Sequence, residues 1–199
     1  MKKWLMLICF SAVFLSGCSM LELKQTADQQ IPELHADSSR IVFMRSAFHG
    51  AAITAMLYEI IDGKPKYFGA VKNDNKFYLD TTPGQHIFMA LGMGADFMPA
   101  DLAPGKTYYV MVTPRGWPSI SFSLHPFRTD GTTKFNTDSD SFKDWKNATI
   151  LVENLPQSYT WAEERQQRAD DAYKSYWPKW QKKSENDKQV YTIYPSDGM

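Results

Sequence analysis

Four histidines, two cysteines and ten methionines are the side chains of this 199-residue chain best suited to binding a soft metal. The densest grouping is His86-Ile87-Phe88-Met89, continued by Met93 and Met98. Imidazole and thioether donors together suit Cu(I). Strand parity opposes that use, because in an extended segment Ile87, Met89 and Leu91 share a face that His86 does not. Met89 then reads as core filler. His35, His49, His86 and His125 lack the two-histidine spacing that holds zinc on a helix, and they read as surface or strand-end residues. The run Thr137-Asp138-Ser139-Asp140-Ser141 starts like a calcium loop but has neither the turn glycine nor the closing glutamate. Helix capping accounts for it. For hydrolysis, no Gly-x-Ser-x-Gly or Ser-x-x-Lys motif occurs. The adjacent pairs Glu163-Glu164 and Asp170-Asp171 diverge on a helix. A hydrolase whose triad assembles across the fold, or a copper-handling protein, are the alternatives these residues leave. No catalytic residue, metal ligand or cofactor is assigned.

Aromatic residues offer a second kind of chemistry, contact with a partner or a glycan. Tyr159, Trp161, Tyr173, Tyr176, Trp177 and Trp180 fall within a segment of helical periodicity. An amphipathic helix normally buries its apolar side, so packing onto the rest of the fold is the expected use. Tyr173, Tyr176, Trp177 and Trp180 are also the candidate partner or ligand surface. Trp117 joins them, set in Pro114-Arg115-Gly116-Trp117-Pro118, where a glycine and flanking prolines can hold a ring outward.

The cysteines have a different use. Lys2 and Lys3 precede an apolar run from Trp4 to Leu15, and the small residues Ser16 and Gly17 lead into Cys18. That is the architecture of a secretory signal. The run is shorter than the roughly 20 apolar residues that cross a bilayer. Leu15-Ser16-Gly17-Cys18 matches the bacterial lipobox, which implies cleavage between Gly17 and Cys18 and acylation of the Cys18 thiol. Several acyl chains on one residue hold a protein on a membrane far longer than one chain does. Cys9 leaves with the signal and Cys18 carries lipid, so the remainder has no thiol for disulfides, catalysis or metals. Ser19 takes the place where, in enterobacterial lipoproteins, an aspartate favours inner-membrane retention. The expected location is therefore the outer membrane, facing the periplasm. With 22 basic and 22 acidic residues, two of the basic ones in the signal, no positive excess points to nucleic acid.

The elements that position these residues follow from texture. Residues 18–39 are polar without sustained periodicity and read as a lipidated N-terminus and tether; a flexible coil of about 20 residues reaches roughly 25 Å. A short amphipathic helix within 21–30 is the alternative there. Residues 40–128 alternate short apolar stretches with turn residues, as a β-rich domain does. Strands are expected at 40–45, within 51–61, and at 66–71, 76–80, 86–91, 106–113 and 120–127. The 66–71 and 76–80 pair reads as a hairpin across Asn73-Asp74-Asn75. The strand at 106–113 is apolar on both faces and reads as central. Residues 129–199 form a helical extension and tail. They hold a short helix at 137–147, a longer one through Trp177 that Pro178 kinks or ends, and an apolar stretch at 190–194 that returns as an edge strand or binds elsewhere.

Thr82-Pro83-Gly84-Gln85-His86, followed by a strand and by Gly105-Lys106-Thr107-Tyr108-Tyr109-Val110, resembles a recurrent small domain of bacterial lipoproteins. The likeness spans roughly residues 40–114, and Gln85 stands where the family has lysine. It implies a small antiparallel β-sandwich, transthyretin-like or peptidase-associated in outline. It carries no catalytic residues. Taken together the sequence predicts a mainly β, α+β protein held to membrane lipid through Cys18, with an envelope protein or glycan as partner.

Overall fold

The computed structural model describes residues 21–47 and 49–199. The signal segment, Gly17 and Cys18 lie outside the described residues. Among the described residues ten strands form two facing sheets: β1 (Leu23–Gln25), β2 (Ser39–Arg45), β3 (Ala55–Ile61), β4 (Lys64–Val71), β5 (Asn75–Thr81), β6 (Gly84–Leu91), β7 (Ala95–Leu102), β8 (Thr107–Arg115), β9 (Ser121–Pro126) and β10 (Ile150–Asn154). The first sheet runs β1-β10-β5-β2-β8-β9 and the second β4-β3-β6-β7. Helix α1 (Asp140–Ala148) lies between β9 and β10, and α2 (Pro156–Glu163), α3 (Gln166–Gln181) and α4 (Glu185–Val190) follow β10. The fold is thus mainly β, with a helical C-terminal part.

Alternation along the strands builds three apolar layers. Ile41 and Phe43 of β2 face inward with Tyr108, Val110 and Val112 of β8 and Phe88 and Ala90 of β6. Val42 and Met44 face outward, under Met111, Phe127, Phe135 and Phe142. A strand apolar on both faces is covered on both, and every residue of β2 is buried. β8 is likewise interior, hydrogen-bonded to β2 and β9. On the other side of the molecule α3 covers the second sheet through Met56, Tyr58, Met89, Leu91 and Phe97.

Several local expectations change. β4 and β5 are not a hairpin; they belong to opposite sheets, and the chain crosses between them at 72–74. Gly69 permits this face-to-face stacking, since a Cβ there would lie 2.6 Å from the Phe77 ring. The hairpin is β3 with β4, across Asp62 and Gly63, both at positive φ, as a tight two-residue turn requires. β7 escaped the sequence reading because Asp96 and Pro99 disguise it. It is an edge strand, where proline is tolerated, and it completes a second hairpin with β6 around Gly92-Met93-Gly94. The first sheet is mixed rather than antiparallel, with β2 parallel to β8 and β10 parallel to β5, while every pair of the second is antiparallel.

The stretch read as a tether is docked from Leu21 onward. β1 pairs antiparallel with β10, a strand inside the expected helical extension. Gln29 grips Leu151 from both sides, accepting from its N–H at 2.8 Å and donating to its carbonyl at 3.2 Å. Strand pairing wins over a local helix here because β10 presents a free edge. Of Asp138 and Ser139, the two candidate caps in the 137–141 run, Ser139 caps α1, accepting from the Phe142 N–H. Pro178 sits inside α3 rather than ending it. It and Lys174, whose carbonyl loses its helical donor, lie on the exposed side where water serves instead. The tail forms α4, and Ile193 then bridges β7 through bonds to Pro99 and Asp101.

Candidate functional site

The sequence-predicted aromatic residues separate into two groups. Trp177 stacks between Tyr173 and Trp180, with ring centroids 6.2 and 5.2 Å away, and meets Phe97 edge-on at 5.0 Å. Trp180 is buried, while Tyr173, Tyr176 and Trp177 are half-buried against the second sheet. The helix spends these rings on packing. Trp117 is different: it is 80% exposed.

Trp117 belongs to one end of the sandwich, where four connections meet: residues 46–54, 72–74, 92–94 and 116–120. Arg45 organises this end. Its side chain is fully buried at the end of β2, over the Phe122 ring at 4.6 Å. Its guanidinium donates to the carbonyls of Gly50 (2.6 Å) and Ile53, tying the 46–54 connection to the core. Burial lowers its pKa to about 10, against a smaller opposing pull from Asp74. Met93, at the tip of the β6–β7 hairpin, donates its N–H to the Ile120 carbonyl at 2.9 Å, which ties that hairpin to the Trp117 loop. Gly116 has φ of 82°, and a Cβ there would meet the Ser119 carbonyl oxygen at 2.7 Å, so the loop needs glycine. His49 lies against the same loop, its ring 5.9 Å from that of Trp117 and its Nε2 3.3 Å from the Gly116 carbonyl.

Beside these tips runs a groove of about 350 Å³, lined by Leu21, Ile53, Met56, Met93 and Trp161, with Arg168 on its rim. Arg168 donates to the Gly92 carbonyl at 2.5 Å. Met93 is 60% exposed. The first described residue thus lies in the same groove as one of the most exposed apolar side chains.

A second cleft, of about 470 Å³, opens between the 29–34 segment and α1, lined in part by Arg40, Lys76, Tyr109 and Lys146. Arg40 is held by a two-pronged bond to Asp80 at 2.6 and 2.7 Å, which raises its pKa. Lys76 is buried and donates to the Lys146 carbonyl at 2.7 Å in the last turn of α1. Burial, then the Lys146 charge, lowers its pKa. This cleft is cationic, and its bonds also serve to seat the N-terminal segment.

The histidines do not converge. His86 is engaged through both ring nitrogens, Nδ1 to Glu59 at 2.6 Å and Nε2 to the Thr82 carbonyl at 2.8 Å, and the Glu59 bond is the main cause of its raised pKa. Met89 is fully buried on β6. His125 bonds Thr113 Oγ1 at 3.0 Å. Among the described residues no three histidine, cysteine or acidic side chains group as metal ligands do.

Sequence reasoning missed Arg45, Lys76 and the seated N-terminal segment. The signal for Arg45 was present, since it ends an otherwise apolar strand and would be drawn under the sheet end with that strand. The seating of 21–34 depends on a partner more than 120 residues away, which local pattern does not register. The chain matches no protein-family model and no curated protein.

Proposed function

We propose that this chain is a bacterial envelope lipoprotein, cleaved before Cys18, anchored by lipid on that residue, and acting as a non-catalytic binding or structural module. The observation that carries the reading is Leu15-Ser16-Gly17-Cys18 at the end of a basic-then-apolar run. The fold is compatible with it. Leu21, three positions after Cys18, packs against the outer cluster of the second sheet, and no helix among the described residues is long and apolar enough to cross a membrane. Location in the outer membrane, facing the periplasm, follows from Ser19 beside the modified cysteine.

The non-catalytic part rests on where the polar groups go. His86, Arg40 and Arg128 are each occupied by ion pairs or carbonyls that hold strands and tail in place. An envelope protein or glycan is the partner class this reading carries. Replacing Cys18 with serine tests the anchor: lipid labelling is expected to vanish and the protein to leave the membrane fraction. Persistent labelled, membrane-bound C18S protein would refute the reading.

A further inference from the structure

We infer that the sandwich stands on the bilayer with its 46–54, 92–94 and 116–120 end down, and that Met93 and Trp117 dip into the lipid interface. This rests on the lipid anchor proposed above and adds an orientation and a second membrane contact. Chain length supplies the first argument. Two residues, Ser19 and Met20, lie between Cys18 and Leu21, and the three chain steps that join them span at most about 11 Å. Leu21 lines the groove that Met93 also lines. The acylated residue therefore stays within one short span of this end, and the bilayer comes with it.

The chemistry of the end supplies the second argument. Trp117 and Met93 project from two loops that are bonded to each other through Met93 N–H and the Ile120 carbonyl. Tryptophan favours the membrane–water interface, where its ring is apolar and its N–H finds a polar partner. Arg168 and Lys72 are exposed at or beside the same end, placed for lipid phosphates. Arg45 anchors the 46–54 connection from beneath, so the tips sit on a fixed base. The opposite end presents the exposed turn Asp62-Gly63-Lys64, which lies a full strand away, about 20 Å along β3. A single lipid-bearing residue holds a protein near a surface but leaves it free to tumble; a second contact fixes which face it shows.

The test uses the processed full-length chain in phosphatidylethanolamine–phosphatidylglycerol vesicles containing spin-labelled lipid. With Cys9 removed and the Cys18 sulfur acylated, an added cysteine is the one thiol that takes an environment-sensitive fluorophore. The exposed positions Met93→Cys and Ser119→Cys report on the inferred contact, and Lys64→Cys on the far end. Side chains seated in the interface, at the roughly 5–10 Å depth typical of surface-bound segments, are expected to be quenched about twofold or more, with Lys64→Cys unquenched. Equal quenching at all three positions, or none at 93 and 119 in protein that floats with the vesicles, overturns the orientation and leaves the anchor standing. Protein that fails to float sinks the anchor, and the orientation with it.

Discussion

His125 makes stability depend on pH in a direction that can be worked out from its surroundings. Its ring lies 4.8 Å from Phe135 and 5.3 Å from Tyr191, with Nε2 on the Thr113 hydroxyl. Burial is the main reason its pKa falls to about 4 from 6.5; Lys134 and Lys183 push the same way, and Asp96 opposes them. The unfolded chain takes up a proton below about pH 6.5 while the folded chain does not, so stability is lost as pH falls from there toward 4. At about 1.36 kcal/mol per unit, the loss of stability between pH 7 and pH 5 amounts to about 2 kcal/mol from this residue, and about 3 kcal/mol by pH 4. His125→Phe keeps the ring contacts, and the half-exposed Thr113 hydroxyl can turn to water. Urea unfolding followed by tryptophan fluorescence, run on both proteins between pH 7.5 and 4.5, reads the difference directly. Wild type is expected to lose about 2 kcal/mol more than the variant between pH 7 and 5. Parallel curves would refute the account, because every other titrating group is common to both proteins. His86 acts in the opposite direction: its raised pKa, owed chiefly to the bond with Glu59, stabilises the fold below about 6.5, and that contribution fades as pH rises through the folded value.

Two further substitutions probe the packing. Arg128 and Asp197, each more than nine-tenths buried, tie the chain terminus to the end of β9, and Arg128 also donates to the Thr192 carbonyl at 2.9 Å. Asp197→Ala leaves a buried guanidinium without its counter-ion and is expected to cost about 3–5 kcal/mol in urea unfolding; a loss under about 1 kcal/mol would mean that the carbonyls alone satisfy it. Gly69→Ala places a methyl 2.6 Å from the Phe77 ring between the two sheets. It is expected to destabilise by about 1–3 kcal/mol, read as a lower melting temperature, and an unchanged melting temperature would show that Phe77 yields freely.

The legible parts of the fold were those set by local pattern. The alternation in 106–113 put Tyr108, Val110 and Val112 on one face, which the fold turns inward, and a cap at Asp138 or Ser139 placed α1 within a few residues. What local pattern hid is non-local. β7 contains an aspartate whose cost is met by Ser123 at 2.9 Å, with Lys183 and Arg115 nearby, and none of these is adjacent in sequence. Asn73-Asp74-Asn75 announced a turn correctly, but no turn residue says whether the next strand pairs beside the last or crosses to the facing sheet. The candidate site was half visible. Trp117 stood out through its flanking prolines and glycine, whereas Met93 gained meaning only when the hairpin tip met Ile120. The four helix aromatics were legible as an apolar stripe, and the sheet beneath them decides their use.

The seating of residues 21–39 bears on what kind of module this is. A free coil of that length would let the domain range over roughly 25 Å from its anchor, which suits a protein that searches for a distant partner. Here the segment is fixed at several points instead: Leu21 in the groove, β1 on β10, Gln29 on Leu151, Ile31 against the outer layer and the Pro32 carbonyl on Arg40. Ordering a chain costs conformational entropy, and these contacts must offset it. Reach is what a loose tether supplies; a seated one supplies a defined height and facing. If Cys18 is the anchor, the surface most available to a partner is the one away from the bilayer, around the Asp62-Gly63 turn, the 82–84 turn and the 103–106 connection. Envelope crosslinking from exposed positions on that end is therefore expected to capture more protein than crosslinking from Ser119, and the reverse ratio would mean that the Trp117 end meets a protein rather than lipid.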